Sequence, residues 1–249
     1  MEDKSNIVCG RNPVAEALRG NRTVEKIYLL RGPREGSVIK IAAMARQKGI
    51  PVIEADRRKL ENICRSDTHQ GVVAFVTDFA YTPVEQILAS AKAEGQTPLI
   101  LVIDGITDPH NLGAVIRTAN ACGVHGVILP KRNTCGLTSA VFKAAAGACE
   151  FVKIARVSNI ATTLKLLKEN NIWVYAADGA AARAQSIYQT DLRGPAALVL
   201  GDEGKGVSRI VAEESDFLVK IPMLGQITSL NLSVAGGVIL YEILRQRGV

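Results

Sequence analysis

The sequence predicts an α/β protein in which a small α/β domain precedes a larger domain built on a parallel sheet. Short apolar runs typical of buried strands alternate with helical patterns along most of the 249 residues. Residues 80–97 interrupt this alternation with Pro83, Gly95 and mostly polar or alanine residues. We therefore expect a small domain over residues 1–79, a linker over residues 80–97 and a larger domain over residues 98–249.

In the small domain, Asn12 and Pro13 predict a first helix that runs to Leu18, with Asn12 as its N-cap. Ser37 and Gly49 are typical of the two ends of a second helix. The remaining patterns predict a helix over residues 57–64 and strands over residues 26–30, 50–54 and 71–79.

In the larger domain, continuous apolar runs predict strands over residues 99–103, 126–129, 151–154, 172–176, 196–200 and 217–221. Helical patterns accompany them over residues 111–122, 138–148, 160–169, 208–214 and 229–247, and the linker contains one over residues 84–93. This order is typical of a parallel sheet covered by helices on both faces, in which ligands bind at the carboxyl ends of the strands.

The charge is moderately basic and unevenly distributed. The chain has a net charge of +6, and its first 80 residues carry fourteen Lys and Arg against ten Asp and Glu. A basic segment of this size favours a polyanion such as nucleic acid, although a basic protein without such a partner remains an alternative. No apolar run is long enough to cross a membrane and the first residues do not resemble a secretion signal, so we expect a cytoplasmic protein.

The cysteines and histidines do not form a recognisable metal-binding pattern. The chain has five cysteines without C-x-x-C spacing and three scattered histidines. We therefore expect no metal site, and an odd number of cysteines in a cytoplasmic chain predicts reduced thiols.

Three polar, glycine-containing segments follow predicted strands. In the first, residues 104–120, Asn111 and Arg117 are six positions apart and so do not share one stripe of a helix. This spacing predicts that Asn111 lies before the helix or in its first turn. The alternative is a helix cap and an unrelated surface arginine.

The second segment, residues 198–208, has three glycines within six residues and allows a backbone to approach a ligand closely. Its G-x-x-G-x-G order is neither the dinucleotide-binding fingerprint nor a P-loop. The alternative is a flexible turn followed by Ser208 as a helix cap.

The third segment, residues 221–235, places Ser229, Asn231 and Ser233 in the first turns of the last predicted helix. Polar side chains lower helix propensity there, which indicates a ligand or a closely packed partner. Capping by Ser229 is the simpler alternative.

Together the three segments resemble the signature motifs of the SpoU branch of the SPOUT superfamily, whose members are S-adenosylmethionine-dependent RNA ribose 2′-O-methyltransferases. The pattern N-x-G-x-x-x-R-x-A is met at residues 111–119, G-x-E-x-x-G at 201–206 and I-P-M-x-G-x-x-x-S-L-N-x-S-x-A at 221–235. Residues 9–14 and 69–73 resemble the substrate-binding domain that precedes the catalytic domain in many members. The whole chain is similar to the members that methylate a guanosine ribose in 23S rRNA.

The resemblance implies a deep trefoil knot in the C-terminal domain that holds S-adenosylmethionine, and a homodimer with the active site near the subunit interface. It assigns cofactor binding to Leu200, Gly201, Gly206, Ile221, Met223 and Leu230. It assigns catalysis to Asn111, Arg117, Glu203, Ser229 and Asn231.

Arg117 is the leading candidate among the catalytic residues. A guanidinium keeps its proton at any ordinary pH, so Arg117 is a poor general base. We expect Arg117 to bind a phosphate beside the target ribose and to stabilise the developing 2′-oxyanion.

For the RNA, which is expected to be 23S rRNA or its precursor, the candidate contacts are Arg11, Asn12, His69 and Gln70. A half-buried strand histidine bonded to the backbone is the alternative for His69. Because aromatic residues make up only 4% of the chain, contacts to phosphates and 2′-hydroxyls should predominate.

Two other functions compete with this interpretation. A tRNA ribose methyltransferase of the same branch would carry the same motifs, and a knotted RNA-binding protein without methyl transfer would not need all five polar residues. A nicotinamide-dependent dehydrogenase is excluded because the chain lacks the dinucleotide fingerprint.

Overall fold

The structure is a computed structural model that describes residues 6–20, 22–33, 36–65, 69–226 and 229–249. The chain forms two compact units. The first contains residues 1–80 and 137–151, and the second contains residues 81–136 and 152–249. Within the described ranges, no helix is both long and apolar enough to cross a bilayer.

The first unit is a four-stranded sheet with helices on both faces. Its strands are β1 (Ile7–Cys9), β2 (Val24–Leu30), β3 (Val52–Ala55) and β4 (Val72–Val76), and its first three helices are α1 (Arg11–Arg19), α2 (Ser37–Gln47) and α3 (Arg57–Cys64). The strand order is β1-β4-β2-β3. Strand β4 is antiparallel to both neighbours, whereas β2 and β3 are parallel. The predicted α/β unit is confirmed, and α3 has the predicted bounds.

The start of α1 differs from the prediction because Asn12 is not its N-cap. The cap position is Gly10, with φ 104°, and Asn12 is the second helical residue. The free N–H of Arg11 is satisfied by Gln70 Oε1 at 3.1 Å, so a distant side chain takes over the role of the cap.

The two faces of this sheet have separate apolar clusters. Helices α1 and α2 cover the face of Ile27 and Leu29, and α3 covers part of the other face through Leu60. A disulfide joins Cys9 in β1 to Cys64 at the end of α3. The expectation of reduced thiols is therefore wrong for this pair, because the fold brings two cysteines separated by 55 residues into contact.

Residues 137–151 contain helix α6 (Ser139–Ala144) and a 3₁₀ helix (Ala148–Glu150), and they pack into the first unit. Arg22 Nη1 lies 3.6 Å from Glu150 Oε1, and both side chains are at most 5% exposed. The Arg22 guanidinium also lies over the Phe142 ring and donates to Thr77 O. Burial raises the pKa of Glu150 and lowers the pKa of Arg22, so each charge depends on its partner.

Gly20 makes the approach of Glu150 possible. A Cβ atom at residue 20 would lie 2.4 Å from Glu150 Cβ, so only glycine leaves room for this segment.

The second unit contains the parallel sheet that the sequence predicts. Its strands are β5 (Leu99–Asp104), β6 (Gly126–Pro130), β7 (Ile154–Val157), β8 (Trp173–Ala177), β9 (Gln185–Ser186), β10 (Ala196–Gly201) and β11 (Phe217–Lys220). They lie in the order β7-β6-β5-β10-β8-β11-β9, and every pairing is parallel. The central strands β5 and β10 are buried except at their last residues, as their continuous apolar runs predict.

Helices cover both faces of this sheet. They are α4 (Val84–Ala93), α5 (Pro109–Ala121), α7 (Ile160–Glu169), α8 (Arg209–Glu214) and α9 (Leu232–Gln246). Helices α5 and α9 pack together where Gly236 faces Val115 and Leu200, and a Cβ at residue 236 would lie only 2.7 Å from Leu200 Cδ1. Helices α4 and α7 have the predicted bounds.

Two predicted bounds in this unit are wrong. Strand β7 spans Ile154–Val157 and not residues 151–154, because the 3₁₀ helix ends at Glu150 and residues 151–153 form the turn that leads into the strand. Helix α9 begins at Leu232, not at Ser229, because Asn231 caps it.

Candidate active site

A cavity of about 950 Å³ opens at the carboxyl ends of three neighbouring strands in the second unit. The segments that follow β8, β10 and β11 form its walls. It is lined by Leu200, Gly201, Glu203, Gly206, Ile221, Met223, Ser229 and Leu230, among others. All six residues predicted to bind a cofactor therefore border one cavity, of a size that suits a small-molecule ligand.

The glycine-rich segment after β10 folds into a tight turn at this cavity. Asp202 and Gly206 exchange backbone hydrogen bonds of 3.0 and 2.8 Å, and Asp202 Oδ1 accepts from Gly204 N and Lys205 N. A Cβ at residue 201 would lie 2.1 Å from the carbonyl carbon of Gly206. Glycine at position 201 is therefore required by the turn itself.

Asp104 holds this turn against the neighbouring strand. It is the last residue of β5 and pairs in register with Gly201 of β10. Its Oδ2 accepts a hydrogen bond of 2.7 Å from Ser208 N at the start of α8. The segment that carries Glu203 is therefore fixed at both ends.

Beside the cavity, three of the five predicted catalytic side chains form a closed set of hydrogen bonds. Asn111 Nδ2 donates to Glu203 Oε1 at 2.7 Å. Asn231 Nδ2 donates to both Glu203 Oε1 at 2.7 Å and Asn111 Oδ1 at 2.9 Å. Glu203 and Asn231, which lie 92 and 120 positions after Asn111 in the sequence, thus meet Asn111 at one point. We call Asn111, Glu203 and Asn231 the polar triad.

Asn231 has two structural roles at once. Its Oδ1 accepts from Ser233 N and Val234 N and caps α9, while its Nδ2 binds the other two triad members. Glu203 Oε1 also accepts from Leu232 N at 3.3 Å. The polar residues at the start of α9 therefore cap the helix and connect it to the triad, and Ser229 is not the cap.

Arg117 and Ser229 lie outside the triad. Arg117 is exposed on α5, and six helical residues place it about 9 Å along the axis from Asn111. In the described part of the chain, no hydrogen bond or ion pair connects Arg117 to the triad. Ser229 is exposed and borders the cavity. Asn111 lies in the first turn of α5, as its spacing predicts, and Asp108 is the cap.

Comparison with known proteins accounts for this arrangement. The profile described as the SpoU rRNA Methylase family matches residues 98–241. The chain belongs to the SpoU methylase family. It is therefore an RNA methyltransferase of the SpoU/TrmH type, and the profile described as RNA 2′-O ribose methyltransferase substrate binding matches residues 7–82.

Three similar proteins show how far the likeness extends. YacO of Bacillus subtilis strain 168, which is assigned to the TrmH family of tRNA/rRNA methyltransferases, is 40% identical over 99% of this chain and 98% of its own. An AdoMet-bound rRNA methyltransferase from Sinorhizobium meliloti is 28% identical, with a TM-score of 0.81 over 97% of this chain and 87% of that chain. The TrmH/SpoU tRNA-modifying enzyme of A. aeolicus is 30% identical, with a TM-score of 0.55, and covers 66% of this chain and 84% of that chain.

In this SpoU-family chain, the predicted RNA contacts of the first unit are only partly accessible. Arg11 is exposed, and its Nε donates to Gln70 O at 3.0 Å, so Arg11 and Gln70 are neighbours. Asn12 is exposed beside them. His69 is only 4% exposed, and its Nδ1 accepts from Gly71 N at 2.9 Å. Burial and the bond to Gly71 favour the structural alternative for His69, although it lies in a turn before β4 and not in a half-buried strand. An RNA contact by His69 stays a prediction.

The sequence-based prediction missed two residues that shape the SpoU-family site. Asp104 supports the turn after β10, and Asp178 borders the cavity and accepts hydrogen bonds from Ala180 N and Ala181 N. Both are acidic residues at the carboxyl ends of parallel strands, and that position was the available signal. Within the described ranges, no group of three or more His, Cys, Asp or Glu side chains could hold a metal ion.

Proposed function

We propose that the chain transfers a methyl group from S-adenosylmethionine to a ribose 2′-hydroxyl of RNA, and that the substrate is a guanosine of 23S rRNA. The observation that carries the proposal is the position of the polar triad at the edge of the cavity. The triad connects the segments after β5, β10 and β11, so a ligand in the cavity and a nucleotide outside it would meet beside the same three side chains.

The residues of the cavity suit S-adenosylmethionine. Leu200, Ile221 and Leu230 offer apolar walls for an adenosine group, and the carboxylates of Asp178 and Glu203 suit a ligand that carries positive charge. When bound, the cofactor supplies a methyl group activated by a sulfonium. The crystallised S. meliloti relative contains this cofactor, which supports the assignment.

The protein's own contribution is orientation and charge. Three N–H donors converge on Glu203 Oε1, so the carboxylate is held in one orientation at the mouth of the cavity. Holding a hydroxyl in line with a methyl group can supply a large part of the rate enhancement. We assign Arg117 to the phosphate next to the target ribose, where its fixed positive charge stabilises the developing oxyanion.

The position of Arg117 supports a homodimer. Val234 and Tyr241 are 50% and 56% exposed, and with Val238 they form an apolar stripe on α9 that the described residues leave uncovered. Helix α5, which carries Arg117, packs directly against α9. A second copy on this stripe would bring one subunit's Arg117 towards the triad of its partner.

The coverage of one solved relative supports rRNA as the proposed substrate. The rRNA methyltransferase of S. meliloti aligns with 97% of this chain. The tRNA-modifying enzyme of A. aeolicus aligns with 66%, which is too little to include both units in full. The small substrate-binding domain of residues 7–82 is thus matched in a relative that acts on rRNA. We also propose that the reaction takes place in the cytoplasm and that a trefoil knot surrounds the cofactor.

The test is to map ribose methylation across total rRNA and tRNA from cells with and without this protein. The proposal expects one guanosine of 23S rRNA to lose its 2′-O-methyl group when the protein is absent. Loss of a tRNA methyl group instead would support the tRNA alternative. Unchanged methylation, together with no binding of S-adenosylhomocysteine in a calorimetric titration, would support the non-catalytic alternative.

A further inference from the structure

The first unit has a sheet face that its helices only partly cover. Helix α3 packs on one part of this face, where Tyr28 borders its apolar cluster, and beyond it the face presents Lys26, Leu30, Ile53 and Phe75. Leu30 and Ile53 are 38% and 37% exposed, and Tyr28 and Phe75 are half-buried. We call these five residues the open face.

The two aromatic rings of the open face form one platform. Lys26 of β2 lies directly opposite Phe75 of β4, and Tyr28 is the next residue of β2 on the same face. The ring centroids of Tyr28 and Phe75 are 5.7 Å apart in an edge-to-face arrangement. Two neighbouring strands therefore hold the two rings side by side on the same face of the sheet.

A cation lies over each ring. Lys26 Nζ is 4.6 Å from the centre of the Phe75 ring, and Lys59 Nζ is 5.2 Å from the centre of the Tyr28 ring. Lysine over a half-buried ring at the surface is weakly held compared with a stacked nucleobase. A base could therefore displace either ammonium group, and the flexible lysine would remain close enough to meet the phosphate of the same nucleotide.

The charge at the start of α3 also indicates an anionic partner. Its first turn consists of Arg57, Arg58 and Lys59 and contains no acidic residue. Cations at a helix N-terminus are unfavourable because the helix dipole is positive there. Asp56 caps this helix end by accepting from Lys59 N, and Arg57 pairs with Glu61, but the three basic residues themselves do not stabilise the helix end. They do place positive charge beside the open face.

We propose that the open face binds single-stranded RNA by stacking bases on Tyr28 and Phe75, while Lys26 and Lys59 contact phosphates. Sheets that present aromatic rings to single strands are a general solution for RNA recognition. The inference rests on the proposed function in that it takes RNA as the substrate. It adds a recognition surface, different from the side chains of Arg11 and Gln70, whose occupant is an unpaired segment of that RNA.

The first experiment measures binding of the full chain to a short single-stranded RNA by fluorescence anisotropy. Tyr28→Leu and Phe75→Leu keep apolar volume but remove the ring, and each should weaken binding roughly 5- to 100-fold. Tyr28→Phe keeps the ring and should bind as the unchanged protein does. An RNA duplex of the same sequence should be insensitive to all three, because its bases are already stacked.

The second experiment measures the salt dependence of binding. Each phosphate contact on a single strand contributes about 0.7 to the slope of log K against log salt concentration. The double variant Lys26→Gln/Lys59→Gln should therefore reduce the slope by about 1.4. Lys40→Gln is the matched control, because Lys40 is exposed on α2, which covers the opposite face of the sheet.

Two results would overturn the inference. One is unchanged affinity in both leucine variants, and the other is an equal change of slope in Lys40→Gln. Neither the affinity measurement nor the salt-dependence measurement requires the chain to transfer a methyl group. A chain that binds RNA through the open face but transfers no methyl group would refute the proposed function alone, and a chain that methylates RNA with an inert open face would refute this inference alone.

Discussion

The second unit has a seven-stranded, all-parallel sheet with a buried centre, whereas the first unit has a four-stranded mixed sheet with one half-covered face. In the second unit, the functional candidates follow the carboxyl ends of strands, and the three members of the polar triad meet through hydrogen bonds across the sheet edge. In the first unit, the candidates lie on the open face of the sheet, at Tyr28 and Phe75, and at the neighbouring residues Arg11 and Gln70.

This difference indicates a division of labour. Chemistry needs a few atoms at fixed distances, and the ends of parallel strands supply them. Recognition of a flexible polymer needs surface, and a partly open sheet face supplies it.

The largest effect is expected at the buried ion pair of the first unit. Arg22→Met leaves the Glu150 carboxylate buried without an opposite charge, and should lower the free energy of unfolding by about 3–5 kcal/mol. Denaturant unfolding measures this loss. Cofactor binding in the second unit should persist at low denaturant concentration.

Arg19→Met is the matched control for Arg22. It removes an exposed ion pair with Glu16 on the same unit and should change stability by less than about 1 kcal/mol. Equal losses in both variants would mean that the buried pair has no special importance.

The next effect concerns catalysis in the second unit. Arg117→Ala should lower the rate of methyl transfer by roughly 100- to 1,000-fold, because a fixed positive charge at the oxyanion is lost. The affinity for S-adenosylhomocysteine should change little. Arg209→Ala, which also removes an exposed arginine from this unit, serves as the control. A collapse of cofactor affinity with normal turnover per bound complex would contradict the role of Arg117.

A smaller effect separates two glycines of the cavity. Gly201→Ala forces a Cβ against the backbone of Gly206 and should weaken cofactor binding by roughly 5- to 100-fold, through a strain of about 1–3 kcal/mol. Gly225→Ala meets no atom within 4 Å and should bind nearly normally. Calorimetric titration measures the cofactor affinity of both variants. A larger loss in Gly201→Ala would show that the turn after β10 is the more rigid wall, and a larger loss in Gly225→Ala would show that the loop after β11 is.

Much of the second unit could be predicted because its signals are local. Apolar runs predict the parallel strands except the two-residue β9, although β7 lies three residues later than predicted. Helices α4 and α7 follow their patterns to the residue, and the three motifs lie at the strand ends. The triad could be named from its motifs. Its hydrogen-bond pattern could not, because one amide group of Asn231 both caps α9 and binds two distant side chains.

The first unit was harder to predict because distant residues complete it. The packing of residues 137–151 into this unit depends on Gly20, Arg22 and Glu150, which are far apart in sequence. The contact between Cys9 and Cys64 likewise arises only when α3 lies on the sheet. Local pattern could not show that His69 is buried either.

The smallest effect concerns acid stability at the end of α9. Hydrogen bonds from Arg245 and Gln246 lower the pKa of Glu242 to about 2. A carboxyl group with a lowered pKa stabilises the fold above its unfolded value, near 4.5, and this contribution is lost as the pH falls towards 2. Glu242→Gln should therefore flatten the decline of unfolding free energy across this range. Because Arg245 is exposed, the effect should stay below about 1 kcal/mol. An unchanged acid profile would contradict this assignment.

The central claim is that the cavity at the carboxyl ends of β8, β10 and β11 delivers a methyl group to an RNA ribose. The most direct measurement incubates the full chain with S-adenosylmethionine carrying a labelled methyl group and with 23S rRNA, then locates the label by nuclease digestion and mass spectrometry. We expect label on the 2′-oxygen of one guanosine, and a strong loss of label in Arg117→Ala. Label on a nucleobase, or none on RNA in the presence of bound cofactor, would contradict it.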